Sequence, residues 1–262
     1  MGGLGSQHIG GEKVSYEKDI ERIATLLRWS GKTLALTGAG ISTESGIPDY
    51  RSPGTGRWTR ENPMEVASVE ALYRDPGAYY RRAIPRWLTW ADCEPNAGHH
   101  ALVRLEEMGY LAGVITQNVD SLHKRAGSKQ VWEVHGHLRT FYCLRCRHEE
   151  TFDQVVEQFN AGTVPPCCPA CGGLVRPVAV LFGDQMHPDY FAALEALAGC
   201  QLLLVIGTSL QVYPVADLPG RVPRFVIINR DPTPWDDRAE VVVRESIGRV
   251  LTDVVNLLLA TR

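Results

Sequence analysis

The sequence predicts an α/β fold with a parallel sheet covered by helices on both faces and a smaller domain made from two insertions. Apolar, largely β-branched runs end in glycine or polar residues and are separated by helix-length segments, at residues 33–36, 113–120, 202–209, 225–229 and 240–244. Strands without a polar face are typical of parallel sheets buried on both sides. Residues 52–94, rich in Arg, Pro, Trp and Tyr, and residues 137–177, with five of the seven cysteines, interrupt this alternation.

These interruptions define the expected domain organisation. Residues 16–51, 95–136 and 178–262 form the sheet domain, residues 52–94 a helical module, and residues 137–177 a cysteine-rich module. Residues 1–15 are expected to be a flexible tail, because several glycines precede the first apolar spacing, which runs from Ile20 to Leu27 at helical intervals.

Composition excludes several classes of protein. The chain has 262 residues, of which 44% are hydrophobic and 22% charged, with a net charge of −3. Direct binding to nucleic acid is therefore not expected, because no excess of cations attracts phosphate. No membrane association is expected either, since the longest apolar run in a predicted strand covers only residues 202–206. An odd number of cysteines and a chain start without a signal pattern favour a reducing, cytoplasmic location.

Four cysteines have the spacing of a metal site. Cys143 and Cys146 form one C-x-x-C pair, and Cys168 and Cys171 form another. Two such knuckles bring four thiolates to one tetrahedral centre, which suits a structural Zn²⁺ without an open coordination position. Disulfides are the alternative. Cys167 would change the second knuckle to C-x-x-x-C, so it is left out.

Polar residues at the strand ends should gather in one crevice, because ligands of parallel sheets bind beyond the carboxyl ends of the strands. The first of these ends is the glycine turn Gly38-Ala39-Gly40, where small residues would let the backbone approach a phosphate. The third glycine of the dinucleotide fingerprint is missing, because Thr43 stands there. From the residues alone, phosphate binding and a plain tight turn remain equally open.

Taken together, the motifs closely resemble those of the sirtuins, the NAD-dependent protein deacylases, and look most like the class II branch of that family. The motifs occur in family order over roughly residues 18–255, namely GAGISTESGIPDYR, TQNVDSLHKRAG, VHG, the paired C-x-x-C, RPVAVLFGD and GTSLQVYP. The resemblance implies a Rossmann-like parallel sheet, NAD and one zinc as cofactors, acyl-lysine proteins as substrates, and release of nicotinamide and O-acyl-ADP-ribose.

The resemblance also assigns residue roles. It makes His135 the base that takes a proton from a ribose hydroxyl, with Asn118 ordering the ribose and a water. His123 and His137 are the alternatives for the base, and we expect the first to support a loop and the second to face solvent. Helix capping is the alternative for Asp120, which would otherwise receive the nicotinamide amide. The cofactor-binding set is Gly38, Ala39, Gly40, Ser42, Thr43, Asp49, Tyr50, Arg51, Gln117, Asn118, Asp120, Gly207, Thr208, Ser209 and Asn229.

Substrate residues are expected in two places. Val180, Phe182 and Gly183 would form the edge that pairs with the substrate backbone, the alternative being an interdomain linker. Tyr79 and Arg82 share the Tyr-x-x-Arg spacing with which desuccinylating relatives hold an acyl carboxylate, whereas a solvated basic face is the alternative. Three positions depart from the usual family residue: Tyr50 replaces Phe, Ala179 replaces Val and Asp184 replaces Glu.

Two other functions compete with deacylation. One is mono-ADP-ribosyl transfer, in which another nucleophile captures the same activated ribose. The other is a non-enzymatic scaffold that senses NAD. The oligomeric state is not predictable from this sequence.

Overall fold

A computed structural model describes residues 7–54 and 56–261, with side chains described from residue 15 onward. Its strands are β1 (Thr33–Thr37), β2 (Val114–Thr116), β3 (Val131–Glu133), β4 (Thr140–Cys143), β5 (Glu149–Thr151), β6 (Val175–Pro177), β7 (Leu202–Ile206), β8 (Phe225–Ile228) and β9 (Val241–Val243). Six of them form one sheet in the order β3-β2-β1-β7-β8-β9, and every pair is parallel. The predicted fold class is therefore confirmed.

The helices cover both faces of this sheet and build part of the smaller module. They are α1 (Gln7–Trp29), α2 (Pro63–Val66), α3 (Val69–Arg74), α4 (Pro76–Ala91), α5 (Ala97–Glu107), α6 (Leu122–Ala126), α7 (Phe152–Asn160), α8 (Pro188–Leu197) and α9 (Ile247–Ala260). Short 3-10 helices lie at Ala39–Ser45, Arg57–Thr59, Val215–Arg221 and Asp236–Arg238. No described helix is both long and apolar enough to cross a membrane.

The two faces of the sheet bury separate cores, because successive side chains of a strand point to opposite faces. In β1, Ala35 packs with α1, α5 and α9, whereas Leu34 and Leu36 pack on the other face with Tyr190 and Leu197 of α8. All five residues of β1 are buried. This double burial explains why the central strands are largely apolar on both faces and were recognisable from the sequence.

The smaller module contains its own sheet and core. Strands β5, β4 and β6 form an antiparallel sheet in that order. Its core joins Tyr80 and Trp87 of α4 to Phe141 of β4 and Val155 of α7. The helical insertion and the cysteine-rich insertion, which are far apart in sequence, therefore bury one shared apolar cluster.

The chain start differs from the sequence prediction. Helix α1 begins at Gln7, so residues 7–15 do not belong to a flexible tail, and residues 1–6 lie outside the described residues. Once Ile20, Ile23 and Leu27 anchor this helix in the core, further turns add one backbone hydrogen bond per residue without a new nucleation cost. Strand β3 was also not predicted, because its short sequence Val-Trp-Glu has no recognisable periodicity.

Candidate functional site

A cleft of about 320 Å³ lies where the carboxyl ends of β1, β2, β7 and β8 meet the smaller module. Nearly all of the predicted cofactor and substrate residues line it. They are Gly38, Ala39, Gly40, Ser42, Asp49, Tyr50, Arg51, Tyr79, Gln117, Asn118, Asp120, His135, Val180, Phe182, Gly183, Gly207, Thr208, Ser209 and Asn229. Segments almost 200 positions apart thus meet at one edge of the sheet, as expected for a parallel sheet.

Close backbone packing requires glycine at Gly38 and Gly40, independently of any ligand. Gly40 N–H donates to the main-chain oxygen of Gly207 over 2.8 Å, so the turns after β1 and β7 touch through their backbones. A Cβ on Gly40 would stand 2.7 Å from Gly207 Cα, and one on Gly38 would stand 2.7 Å from Thr208 Cβ. The interpretation as a tight turn and the interpretation as a phosphate site are therefore compatible. Gly38 and Gly40 pack closely on the second turn, and without side chains they expose their main chain to the cleft.

His135 is held in one tautomer. Its Nδ1 lies 3.0 Å from the main-chain oxygen of Gln117, which can only accept, so Nδ1 carries the proton and Nε2 of the neutral ring carries a lone pair. Burial lowers the pKa of this imidazole, and the hydrogen bond to Gln117 opposes that shift. The ring is therefore a neutral base at neutral pH.

A polar network orders the floor of the cleft beside His135. The amide of Asn118 donates to the Gly38 main-chain oxygen over 3.2 Å and to the Ser42 hydroxyl over 3.1 Å. Ser42 in turn donates to Asp120 Oδ2 over 2.7 Å. Asp120 Oδ1 accepts from Leu122 N–H over 2.9 Å, so Asp120 bonds to the first residue of α6 from the position before the N-cap Ser121, and it lines the cleft at the same time. Burial raises the pKa of Asp120.

The alternatives to His135 take other positions. His123 is buried in α6, and its Nε2 lies 2.9 Å from the hydroxyl of Thr37, so it contacts the end of strand β1. His137 is half-buried rather than solvent-facing, with its ring 6.4 Å from that of His187. Neither of the two is among the residues that line the cleft.

The loop after the glycine turn brings a cation to the cleft. Asp49 Oδ1 accepts the N–H groups of Arg51 and Ser52, which folds the loop back on itself. Within the described chain the Arg51 guanidinium makes no ion pair, and burial lowers its pKa. It stacks instead on Trp58, with Cζ 4.1 Å from the ring centroid. Thr43 lies outside the main cleft, in an adjoining pocket with Asn229, and its hydroxyl donates to the main-chain oxygen of Gly40.

The segment expected to receive the substrate backbone is tied to both parts of the molecule. Val180 N–H donates to the main-chain oxygen of His135 over 2.8 Å. Phe182 N–H donates to Ala67, and its carbonyl accepts from Val69, so its own main chain is already paired. Phe182 can therefore contact a ligand through its ring, which lines the cleft, but not by strand pairing. Val180 and Gly183 line the cleft beside it.

Arg82 does not reach the cleft, and that prediction is wrong. Arg81 and Arg82 are exposed on α4, as the solvated-face interpretation held for them. Arg86 lines the cleft with Tyr79. The reason is helix geometry: at about 100° per residue, Arg82 is rotated about 60° from Tyr79 and Arg86 only about 20°. The spacing of seven residues between Tyr79 and Arg86 was the available signal, and the sequence analysis did not use it.

The surroundings of Arg86 are unusual for a cation. Trp87 and Trp90 line the same region of the cleft, and the Arg86 Cζ lies 5.4 Å from the Trp90 ring centroid. Its Nε is buried and has no hydrogen-bond partner. Burial, followed by repulsion from Arg57, lowers the pKa of Arg86 to about 10. The Nε of Arg86 is thus a desolvated donor without a hydrogen-bond acceptor.

The four predicted cysteine ligands lie together in the smaller module. Sulfur atoms of Cys143, Cys146, Cys168 and Cys171 are within 4.8 Å of one another, and adjacent pairs are separated by 3.4 to 3.6 Å. Tetrahedral Zn–S bonds of about 2.3 Å need sulfur separations of about 3.8 Å, so the thiols fit zinc. A Cβ on Gly173 would stand 2.9 Å from Cys143 Sγ, so the knuckle requires glycine there. None of these cysteines lines the cleft.

Comparison with known proteins agrees with this geometry. Residues 38–214 match the model of the Sir2 family. The chain belongs to the Sir2 family. It is 47% identical over 239 residues to NAD-dependent protein deacetylase 2 of Caldanaerobacter subterraneus subsp. tengcongensis, a match covering 91% of this chain and 96% of that relative. The sirtuin resemblance is confirmed, whereas the class II branch stays a prediction.

Solved structures show the same fold. A Sir2 complex with p53 peptide and NAD+ superposes with a TM-score of 0.84 at 36% identity, covering 91% of this chain and 98% of that one. A second Sir2 structure, with deacetylated p53 peptide and 3'-O-acetyl ADP ribose, has a TM-score of 0.87 at 36% identity, with the same coverage.

Proposed function

We propose that this protein removes acyl groups from lysine side chains of other proteins and consumes NAD in doing so, releasing nicotinamide and O-acyl-ADP-ribose. The observation that carries the proposal is the hydrogen bond between His135 Nδ1 and Gln117, because it leaves an unprotonated Nε2 on a residue of the cleft. The relative named as a deacetylase and the solved complexes with peptide, NAD+ and acetyl ADP ribose support it.

The residues of the cleft suit NAD along its length. The backbone floor at Gly38 and Gly40 and the unpaired cation of Arg51 suit the pyrophosphate, with Ala39, Thr208 and Ser209 beside them. We assign Asn229 to the adenosine ribose and Asp120 to the nicotinamide amide. When bound, NAD supplies a ribose carbon from which nicotinamide departs.

His135 provides the proton acceptor for the acyl transfer. A ribose hydroxyl attacks the acyl group well only as it loses its proton, and Nε2 of His135 is the group we assign to receive it. Asn118, fixed by Gly38 and Ser42, orients the ribose and a water. The acyl-lysine backbone lies along Val180 to Gly183, so the main-chain bond from Val180 to His135 links the substrate segment to the base.

Deacylation is favoured over the two competing functions. Mono-ADP-ribosyl transfer would also release nicotinamide, but the relatives matched over most of the chain carry deacetylase and deacylase names. A scaffold that only binds NAD would have no use for a buried imidazole fixed as a neutral base.

The test is incubation of the purified protein with NAD and a panel of acyl-lysine peptides, with products read by mass spectrometry. We expect nicotinamide and O-acyl-ADP-ribose in equal amounts, formed only when an acyl-lysine peptide is present. His135→Ala is the matched control, and it should bind NAD but form neither product. Nicotinamide release without acyl-lysine, with ADP-ribose attached to protein, would instead establish ADP-ribosyl transfer.

Acidic acyl groups are a second candidate substrate class, and Arg86 is the observation that favours them. A desolvated guanidinium with an unpaired Nε in an aromatic wall is stabilised by a carboxylate at the end of an acyl chain, such as succinyl. Tyr79, whose burial raises its pKa to about 12, stays a neutral phenol that can donate to the same carboxylate.

The acyl preference is measured as kcat/KM for acetyl and succinyl peptides. Arg86→Met should lower the succinyl value about tenfold or more and change the acetyl value little, because a charge-assisted hydrogen bond is worth about 1.5 to 3 kcal/mol. Arg82→Met, at the exposed neighbour, is the matched control. Equal losses on both peptides, or a parent enzyme without desuccinylase activity, would contradict this role.

The remaining assignments are a cytoplasmic location, one structural Zn²⁺, and acyl-lysine proteins as partners, without direct nucleic-acid binding. The thiol chemistry supports the first, because among the described residues all seven cysteines are free of disulfides. Fractionation of the source cells, with detection by antibody, tests the location.

A further inference from the structure

Trp58 joins the cofactor loop to the substrate segment. One contact of its ring is with Tyr50, whose ring centroid is 4.9 Å away, and Arg51 stacks on it at 4.1 Å. The Trp58 ring also lies 5.7 Å from that of Phe182. The mechanism above does not use Trp58, although it lines the same cleft.

The two neighbours of Trp58 face different ligands. Arg51 has no ion pair in the described chain, so the Trp58 face is what positions its guanidinium in the NAD half of the cleft. Phe182 is fixed by main-chain bonds to Ala67 and Val69 of the helical module, next to the path assigned to acyl-lysine. A shift of either neighbour therefore changes the packing of Trp58 against the other.

We propose that Trp58 is a positioning residue that couples the two substrates. Bound acyl-lysine peptide then raises the affinity of the protein for the ADP-ribose part of NAD, because Trp58 fixes Arg51. This inference rests on the proposed NAD and acyl-lysine sites. Two sites that share one ordered element bind cooperatively, because the ligand that binds first orders the element for both. The coupling is reciprocal, so the bound ADP-ribose part of NAD raises the affinity for the peptide by the same factor.

The coupling is measured with ADP-ribose, which has the adenosine, pyrophosphate and ribose of NAD but no nicotinamide to displace. Its Kd is determined by calorimetry without and with a saturating acetyl-lysine peptide. In the parent protein we expect the peptide to lower this Kd about fivefold or more. In Trp58→Leu the ratio should fall to within about twofold of one, while Trp58→Phe should retain most of the coupling because it keeps an aromatic face.

Trp29→Leu is the matched control, because Trp29 is 78% exposed and lies at the end of α1. It should leave the ratio at the parent value. If Trp58→Leu does not fold, Phe182→Leu breaks the same stack from the other side and should abolish the coupling in the same way. A parent ratio near one, or full coupling in the folded leucine variant, would overturn the proposal.

Failure of the coupling is distinguishable from failure of the proposed function. A parent enzyme that deacylates peptides without coupling contradicts only the role of Trp58. A protein that shows the coupling but never deacylates a peptide contradicts the reaction instead. The split in steady-state kinetics adds a second readout: Trp58→Leu should raise the KM for NAD more than it lowers kcat, which a loss of folded protein would not do.

Discussion

The Arg176 guanidinium and the Asp184 carboxylate form a two-bond ion pair, with 3.0 Å from Nη1 to Oδ1 and 2.6 Å from Nη2 to Oδ2. Asp184 Oδ2 also accepts from Leu181 N–H over 2.8 Å. Arg176 Nη2 reaches the main-chain oxygen of Ala179 over 3.4 Å. Asp184, one of the departures from the usual family residue, therefore holds the main chain of the substrate segment in place, directly at Leu181 and through Arg176 at Ala179.

Asp184→Asn should loosen this segment. The variant keeps the shape of the side chain but leaves Arg176, which is 7% exposed, without its counter-charge. Removing one partner of a buried pair costs about 3 to 5 kcal/mol, and partial exposure of Asp184 reduces this toward about 2. We expect a lower free energy of unfolding in urea and a raised KM for the peptide. Asp75→Asn, at a helix cap of α4, is the control for a surface aspartate. An unchanged peptide KM would contradict the role of the ion pair.

The activity of His135 should persist below the usual histidine pH range. A proton acceptor must be neutral, and burial lowers the pKa of His135 below its usual value of about 6.5. Activity is therefore lost as pH falls through this lowered pKa, which places the acid limb of the kcat/KM profile below about pH 6.5. His135→Ala should lose a factor of about 10² to 10⁴ at every pH while NAD binding changes a few fold. An acid limb above neutral pH would argue against this base.

Removal of one cysteine ligand should cause loss of the metal and destabilise the fold of the smaller module at the same time. Cys143 is buried in the core that contains Phe141 and Val155, so four-thiolate zinc and this core depend on each other. Cys143→Ser should have less than about a tenth of the parent zinc by metal analysis and a lower melting temperature. Cys167→Ser is the control, because Cys167 lies outside the group of four. Full zinc content in Cys143→Ser would make the assignment wrong.

Stability should fall between about pH 6.5 and 4 because of two buried imidazoles. The rings of His99 and His123 lie 4.9 Å apart; burial lowers the pKa of His99 to about 4 and that of His123 well below its usual value. In this interval the unfolded chain binds protons that the folded chain does not, so the free energy of unfolding decreases as pH falls, by up to about 1.4 kcal/mol per pH unit for each ring.

Urea unfolding at pH 7 and pH 5 measures this slope. His99→Gln should show a smaller decrease than the parent, because one of the two rings no longer binds a proton on unfolding. His100→Gln, at the exposed neighbour in α5, should change the slope much less, because the charge of His100 only adds to the larger effect of burial on the pKa of His99. The same decrease in all three proteins would show that other groups cause it.

Gly207→Ala should be unusually destabilising. Its φ is +60°, and a Cβ there would stand 2.4 Å from the Ile41 nitrogen. Gly109, with a φ of +80° and nothing within 4 Å of a Cβ, separates the two effects. Gly109→Ala should cost about 1 kcal/mol from backbone strain alone, and Gly207→Ala at least about 2 kcal/mol more because backbone must move. Equal costs in urea unfolding would show that the backbone contact is unimportant.

The sequence by itself determined five of the six strands of the parallel sheet, the zinc knuckles and most of the cleft residues. Continuous apolar runs are recognisable because β1, β2, β7 and β8 are buried on both faces, and the strand ends that follow them carry the polar residues. Cysteine spacing is a local property, so the four ligands could be named without knowing the fold.

Only the tertiary structure decided which side chains face the cleft from the helical module. Arg82 and Arg86 have the same chemistry and both follow Tyr79, but the orientation of α4 against the core places Arg86 in the cleft and leaves Arg82 exposed. The stack of Arg51, Trp58 and Phe182 likewise joins segments that no sequence pattern relates. Such contacts depend on how insertions pack against a sheet, and that packing is the sum of many weak, distant interactions rather than a property of neighbouring residues.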